Sequence, residues 1–586
     1  MKKENGKILM ALNQHNKKKN ISRLVMLAAM LLLFNIISSR LHVHVDATEE
    51  KRFSLSAPTK KLLKGLKENV IIEVYLKGTF PAGFKKLSES TKDLLQQFKE
   101  YGNGRVKFSF INPLEGKDDQ QKKEVFTNLA SKGINPVNVK VQGDEDEGYS
   151  EKIIFPAAKI AYNQKEISIS LLESHLSMTP QQKLNNSEAM LEYKFASAIK
   201  YLIEPDRKKI AYIVGHGEAL GFNTFDMLST LEKYYDVDTV DLTQNVDIGR
   251  FYTAAIICKP TQTFDEKNKF KIDQFVMQGG KLLMCIDMLS FSMDSLRYVD
   301  ASMAMDYGLN LDDMLFKYGV RINPDFIEDY QQANPIPVTV GIMGNQPDIQ
   351  LLSWSYFPFS ISESKHPIVN NLDAVMFMYA NSIDTVANPE INKTILLTSS
   401  NRSRRVPSPV RISLSNLKFK PQADMFKEKN IPMAVLLEGK FKSVFANRMD
   451  DNFLRVYKDS LKKPYNIVCE KENQMIVVGD GDVFLNDYNT SRGPLECGFY
   501  KFTEKSFANK SFILNCMEYL TDDYGLLEAR NKNLTLRLLD TVKVKKQQLQ
   551  WQLLNIGLPA FLLFVFGSAY FFFRRKNMKG RSINLF

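Results

Sequence analysis

The sequence predicts an α/β protein anchored in a membrane by two spanning helices, one near each end, and three observations carry that prediction. Residues Leu553 to Phe573 form a run of 21 without a charge, enough to cross a hydrocarbon core of about 30 Å at 1.5 Å per residue. The basic charge is concentrated in two short tails, each abutting an apolar run. Between those runs, short apolar strands alternate with helix-length amphipathic segments, the pattern of an α/β fold.

The second span is the stronger of the two. Pro559 and Gly567 are tolerable inside it, because a bilayer forces backbone groups to be satisfied within the segment. Trp551 and Tyr570 stand near its ends, where amphipathic rings favour the interface. The first span, 21–39, holds a 16-residue uncharged stretch from Leu24 to Ser39, bounded by Arg23 and Arg40. A cleaved signal peptide is the rival reading. The basic lead-in is long for one, and the exit Ser38-Ser39-Arg40-Leu41-His42 offers no small-x-small cleavage site, so the segment reads as an uncleaved anchor.

The 586 residues are 44% hydrophobic and 25% charged, a globular composition that argues against wholesale disorder. The net charge is +12 and the pI about 9.1. Residues 1–23 carry +6 and residues 574–586 carry +5, which leaves +1 for the rest. A basic surface for nucleic acid is thereby excluded. The tails instead orient the chain: both termini, including 1–20 and 574–586, stay in the cytoplasm. Residues 40–552 then lie beyond the inner (cytoplasmic) membrane, in a bacterium the periplasm. Lys543, Lys545 and Lys546, just before the second span, run against that orientation. The five cysteines (Cys258, Cys285, Cys469, Cys497, Cys516) form no CxxC pair. They read as buried free thiols, with one optional bridge between Cys497 and Cys516.

The extracytoplasmic part divides in two. In 47–205, Ser56 and Pro58 start a helix. Val70–Leu76 is a strand, Lys85–Tyr101 a helix and Val106–Ile111 a second strand. A helix over Gln120–Ser131, a strand at Val137–Val141, strands over Lys152–Tyr162 and Lys165–Leu171, and a helix from Ser187 to Ile203 follow. That order predicts a thioredoxin-like layout without redox chemistry. In 206–530, Ile210–Val214, Val237–Leu242, Ala254–Cys258 and Lys281–Ile286 alternate with helices near Thr224–Tyr234 and over Asp265–Gln278. Continuous apolar strands alternating with helices predict a doubly wound parallel sheet, Rossmann-like (GATase-like). A large insertion is expected over about 290–465, and Ser511–Leu520 is expected as the last helix of the sheet. Residues 531–552 read as a partly helical juxtamembrane stalk.

Few residues carry a chemical signal. Gly215, His216, Gly217 and Glu218 follow a strand and precede a helix, and with Gly221 they spell GxGxxxG. Such glycines let a backbone approach a phosphate at a helix N-terminus. The spacing departs from the dinucleotide fingerprint, the acidic partner is spread over Asp236, Asp238 and Asp241, and a tight first turn of the sheet explains the same glycines. One histidine and one carboxylate do not make a metal set, and His15, His42, His44, His175 and His366 supply no partner spacing. Cys258 lacks the glycines of a nucleophile elbow and reads as a core thiol. Asp144–Glu147 reads as a solvated turn. Gly479-Asp480-Gly481-Asp482 lacks the spaced ligands of a calcium loop. Arg402, Arg404 and Arg405 read as a solvated loop, and Trp354–Phe359 reads equally as a contact patch or as core. No catalytic residue, cofactor site or metal site is predicted; the Gly215–Glu218 turn is the candidate binding turn.

Several stretches together carry a resemblance. They are Lys51–Ser56 after the first span, Phe80-Pro81-Ala82-Gly83-Phe84, Leu191-Glu192-Tyr193-Lys194-Phe195, the Gly215–Glu218 turn, Trp551–Asn555 with Pro559, and Arg574-Arg575. In order and spacing the chain resembles the GldG family, auxiliary and substrate-binding-like components of an ABC-type transporter in gliding motility. The resemblance implies action with a permease and a cytoplasmic ATPase, called GldF and GldA in that family, and a possible periplasmic ligand or protein partner. It carries over no ligand residues. This sequence has no GxxxxGK[ST] of its own. The expected function is a non-enzymatic auxiliary transport subunit. A scaffold for gliding or secretion machinery, and a hydrolase using the Gly215–Glu218 turn, are the rival readings.

Overall fold

The computed structural model describes residues 54–531 apart from short gaps (the longest 142–149 and 173–178), residues 541–579, and residues 22, 25–33 and 35. It is a mixed α/β protein in two units, residues 1–533 and 534–586.

The first part of the larger unit holds a four-stranded sheet in the order Val106–Phe110, Val70–Val74, Ala157–Tyr162, Lys165–Ser170. The first two strands are parallel and the other pairings antiparallel. A parallel pair needs a crossover, and the helix Ala82–Tyr101 supplies it, burying Phe84, Leu87, Leu95 and Phe98. Val70, Ile72 and Val74 alternate onto the same core. The single strand expected over Lys152–Tyr162 is two, Ser150–Ile154 and Ala157–Tyr162. Pro156 lies between them and cannot donate to a ladder. The long helix starts at Pro180 rather than at Ser187, because Thr179 and Gln182 form a reciprocal capping box around a first-turn proline. The acidic turn Asp144–Glu147 and His175 lie outside the described residues.

The second sheet has seven strands in the order Ile391–Thr398, Pro432–Gly439, Asn473–Val478, Lys281–Cys285, Tyr252–Cys258, Lys209–Val214, Asp236–Asp241. The last five are parallel, and Pro432–Gly439 pairs antiparallel with both of its neighbours. The all-parallel expectation is therefore corrected at one edge. The stretch 290–465 is likewise more than an insertion, since two of its segments complete the sheet. Leu396, Leu397 and the run Ala434 to Leu437 are buried as in interior strands, but they stand among turn residues that mask them in the sequence.

Successive residues of these strands feed two cores. Ala211, Ile213, Ile257 and Met284 face the helices Glu266–Met277 and Asp312–Tyr318. Ile210, Tyr212, Ile256 and Leu283 face the helices Phe225–Leu231 and Asn509–Thr521. Each fully buried aliphatic chain contributes roughly 1.5–3 kcal/mol, so a sheet covered on both faces is the stable arrangement for strands this uniformly apolar. Asp265 fixes the entry to its helix by accepting from the Asn268 N–H at 2.7 Å.

Two open readings close here. Trp354, Tyr356 and Phe357 are buried with Phe326 and Tyr379 in a separate aromatic core, so that stretch is core rather than a contact patch. The basic segment is not a solvated loop: Ser403–Pro407 is a strand paired with Asp325–Asp329. Arg404 is ion-paired with Glu328, and Arg405 lies 3.1 Å from Asp384 and 3.3 Å from Glu428; Arg402 alone of the three is exposed. All five cysteines are buried free thiols, and Cys497 and Cys516 are not joined.

The described residues of the smaller unit form one helix, Thr541–Lys579. Within it Gln550–Phe573, 24 residues, is the one stretch among the described residues long and apolar enough to cross a membrane. Pro559 is accommodated inside the helix. Of the expected first span 21–39, residues 22, 25–33 and 35 are helical; its other residues lie outside those described.

Candidate functional site

The carboxyl ends of parallel strands are where open α/β sheets gather ligand groups. Here the Gly215–Glu218 turn leaves the strand Lys209–Val214, Lys259 follows Tyr252–Cys258, Asp287 lies just past Lys281–Cys285, and Asp480 and Asp482 lie just past Asn473–Val478. In the sequence the Gly215–Glu218 turn and Gly479–Asp482 stand out after their strands, whereas Lys259 and Asp287 do not.

The turn is held shut. His216 is 3% exposed, its ring stacks on Phe264 at 3.8 Å, and its Nε2 sits 3.1 Å from Asn268 Nδ2. Its backbone N–H donates to Glu218 Oε2 at 2.7 Å, and its Nδ1 lies 3.6 Å from Glu218 Oε1. The His216 carbonyl accepts from the N–H groups of Thr261 and Gln262 at 2.9 Å. Gly217 has φ +73°, and a Cβ there would stand 2.2 Å from Thr261 Oγ1. The glycine thus admits Thr261 rather than a phosphate. A phosphate cradle also needs a helix opening at the turn, whereas a short 3-10 turn, Gly221–Thr224, comes next and the α-helix begins only at Phe225 and is seven residues long. The three acidic candidates are engaged or displaced: Asp241 accepts from Thr243, Asp238 pairs with Lys209 and Tyr252, and Asp236 opens the edge strand.

Beside the turn is an ion cluster that the sequence showed only in part. Lys259 Nζ lies 2.5 Å from Asp482 and 3.4 Å from Asp287. Asp287 also accepts from the Gly481 N–H at 2.5 Å. Asp480 accepts from the N–H groups of Met378 and Asp482 at 2.6 Å. Burial pushes the Asp287 carboxyl up to about 6 against the pull of Lys259. Burial, and then Asp287 and Asp482, raise Asp480. Burial alone would depress Lys259, but Asp482 and Asp287 outweigh it and hold the ammonium above its ordinary value. Among the described residues no group of three His, Cys, Asp or Glu is placed to hold a metal ion. Cys258 donates weakly to the Gly481 carbonyl at 3.5 Å, as a core thiol would.

A second place was not legible in the sequence. A cavity of about 540 Å³ opens between the long helix Pro180–Ile203, the strand Lys165–Ser170 and the helix Asn509–Thr521, a size suited to a small molecule. Glu518, 3% exposed, accepts from Ser197 at 2.7 Å and from the Tyr193 hydroxyl. Burial raises its carboxyl, opposed by Lys200, which is itself paired with Asp522 at 3.0 Å. Arg530 is 5% exposed; it donates to Asn515 Oδ1 and stands 5.1 Å over the Tyr193 ring. Tyr193 and Glu518 are 325 positions apart in the chain. The one sequence signal was a lone glutamate in the otherwise apolar stretch of the last helix.

Fold and site together define a mixed α/β protein with one helix long and apolar enough to cross a membrane among the described residues, whose sheet edge is occupied by its own side chains and whose open cavity lies between its two α/β regions. Residues 207–516 match the family model described as an ABC-type uncharacterized transport system, and the chain belongs to that auxiliary family of transport systems. Residues 49–161 match a domain of unknown function, DUF7088. An uncharacterized protein of Borreliella burgdorferi is 21% identical over 453 residues, 75% of this chain and 81% of the relative. Among solved structures, the mmIFT52 N-terminal domain aligns at 11% identity and a TM-score of 0.29, over 54% of this chain and 98% of that one. A putative ThuA-like protein from Parabacteroides merdae aligns at 9% and 0.23, over 54% and 90%. Both structural likenesses are distant.

Proposed function

We propose that this chain is a non-enzymatic, membrane-anchored auxiliary subunit of an ABC-type transporter of the gliding-motility kind, GldG-like, working beside a permease and a cytoplasmic ATPase of the GldF and GldA types. One observation carries it: the family match over 207–516 in a chain with a membrane-crossing helix at Gln550–Phe573. In this reading 21–39 is a second span, both basic tails are cytoplasmic and 40–552 is periplasmic, by the positive-inside rule. The strand order 106–110, 70–74, 157–162, 165–170 supports reading 47–205 as thioredoxin-like. Helices on both faces of the large sheet support a Rossmann-like reading of 206–530, with Gly215–Glu218 as its structural first turn rather than a ligand contact. The subunit is expected to bring an ATPase and a permease with it when purified in mild detergent. Their reproducible absence from the purified complex removes the transport reading.

A scaffold role is the second reading, favoured by a hairpin, Ala333–Met343 with Gln346–Ser360, whose far end exposes Ile342, Ile349 and Leu351. Exposed aliphatic clusters mark contact surfaces. A photo-crosslinker at Ile342 that captures envelope proteins equally well in cells lacking the ATPase favours the scaffold.

A further inference from the structure

We infer that the cavity between the two α/β regions binds a small organic oxyanion, a carboxylate or phosphate ester with a planar or apolar body, and that Arg530 is its counter-ion. The inference deepens the transport reading by naming the class of solute, and it draws only its biological meaning from that reading.

A guanidinium stays protonated and carries five N–H donors. Arg530 lines the cavity and is 5% exposed, yet its Nε is buried with no hydrogen-bond partner. Its described polar contact is with the neutral Asn515, and the Tyr193 ring beneath it is neutral too. A buried charge without a counter-charge is expensive to maintain. The carboxylates of the cavity are committed elsewhere. Glu518 accepts from Tyr193 and Ser197, Glu496 lies 3.3 Å from Lys510, and Asp373 accepts from the Ala374 N–H at 2.8 Å. Among the described residues no carboxylate is hydrogen-bonded to the Arg530 guanidinium, and a ligand from outside the chain can supply that partner. A carboxylate or phosphate suits a guanidinium best, since two oxygens can take two parallel N–H bonds.

The rest of the cavity selects the body of the ligand. Tyr201 and Tyr234 stand 4.7 Å apart with rings tilted by 40°, and Met190, Phe507 and Leu514 add apolar wall. Such surfaces take up a planar or aliphatic group by offset stacking and burial. Ser168 and Ser170 line it too, the Ser170 hydroxyl donating to the Leu172 carbonyl at 3.0 Å.

The test uses the full-length chain in detergent, titrated calorimetrically and by thermal shift with benzoate, phenyl phosphate and the neutral isostere benzamide. At least one anion is expected to bind and raise the unfolding temperature, with benzamide at least tenfold weaker. The benzoate and phenyl phosphate arms distinguish carboxylate from phosphate. Arg530→Met should abolish the preference for the anion, and Arg530→Lys should retain part of it. Anions that bind no better than benzamide, or an undiminished preference in Arg530→Met, overturn the inference. Should Arg530→Met fail to fold, the benzoate-to-benzamide ratio of the unaltered protein decides alone, and a ratio near one overturns the inference. Loss of the permease and ATPase on purification leaves this outcome untouched, so the two proposals fail separately.

Discussion

The carboxyl edge of the large sheet and the cavity beside the long helix hold similar groups and treat them in opposite ways. At the edge, Lys259 is opposed by Asp482 and Asp287, and His216 is sandwiched between Phe264 and Asn268. Lys259 is answered by two carboxylates, while His216 Nδ1 and Glu218 Oε1 face each other at 3.6 Å without a hydrogen bond. In the cavity, Glu518 accepts from Ser197 and Tyr193, whereas the buried Arg530 Nε has no hydrogen-bond partner among the described residues. A closed network fixes loops at strand ends, whereas an unanswered buried charge beside open volume is what a binding site looks like before its ligand arrives. Position at the favoured end of an α/β sheet is thus a weaker guide than the balance of donors and acceptors.

The contrast breaks first at Lys259. Lys259→Met leaves Asp287 and Asp482 facing each other without their cation and should lower stability by about 3–5 kcal/mol in urea denaturation; a change under about 1 kcal/mol would show that the edge is not a closed network. Gly217→Ala places a Cβ 2.2 Å from Thr261 Oγ1 at φ +73° and should cost about 1–3 kcal/mol. His216→Ala should cost a similar amount through the lost stacking and hydrogen bond, with no effect on anion binding in the cavity. A loss of benzoate affinity in His216→Ala would tie the two places together.

Acidity sharpens the same contrast. The Asp287 carboxyl is pushed from an ordinary 3.8 up to about 6 by burial. Between those values the folded chain keeps a proton that the unfolded chain has released. The group therefore favours folding below about pH 4, and that contribution is lost as pH rises through about 6. Asp480 and Glu518, raised chiefly by burial, act in the same direction. Urea midpoints across this window should fall less steeply with pH in Asp287→Asn; an unaltered slope sinks the assignment. The smallest effect is expected at Arg402, exposed at the start of the basic segment. Arg402→Ala should stay within about 0.5 kcal/mol, whereas Arg404→Ala, which strands the buried Glu328, should exceed it.

What the sequence determined by itself was everything set by local pattern. The run Leu553–Phe573 must avoid water, Ile210–Val214 and Ala254–Cys258 are apolar enough to be buried on both faces, and Asp265 announces a helix. The capping box at Thr179-Pro180-Gln181-Gln182 was legible too, although the reading placed that helix at Ser187. Tertiary structure decided the rest. Pro432–Gly439 joins the sheet only because Asn473–Val478 offers it an antiparallel edge. Arg404 and Arg405 become ion pairs only because Glu328, Asp384 and Glu428 arrive from other segments. The cavity exists only where residues 193 to 201 meet residues 515 to 530. Periodicity reports which face of an element avoids water; it carries no record of which distant charge will stand opposite, and that meeting decides whether a buried arginine is satisfied or waiting.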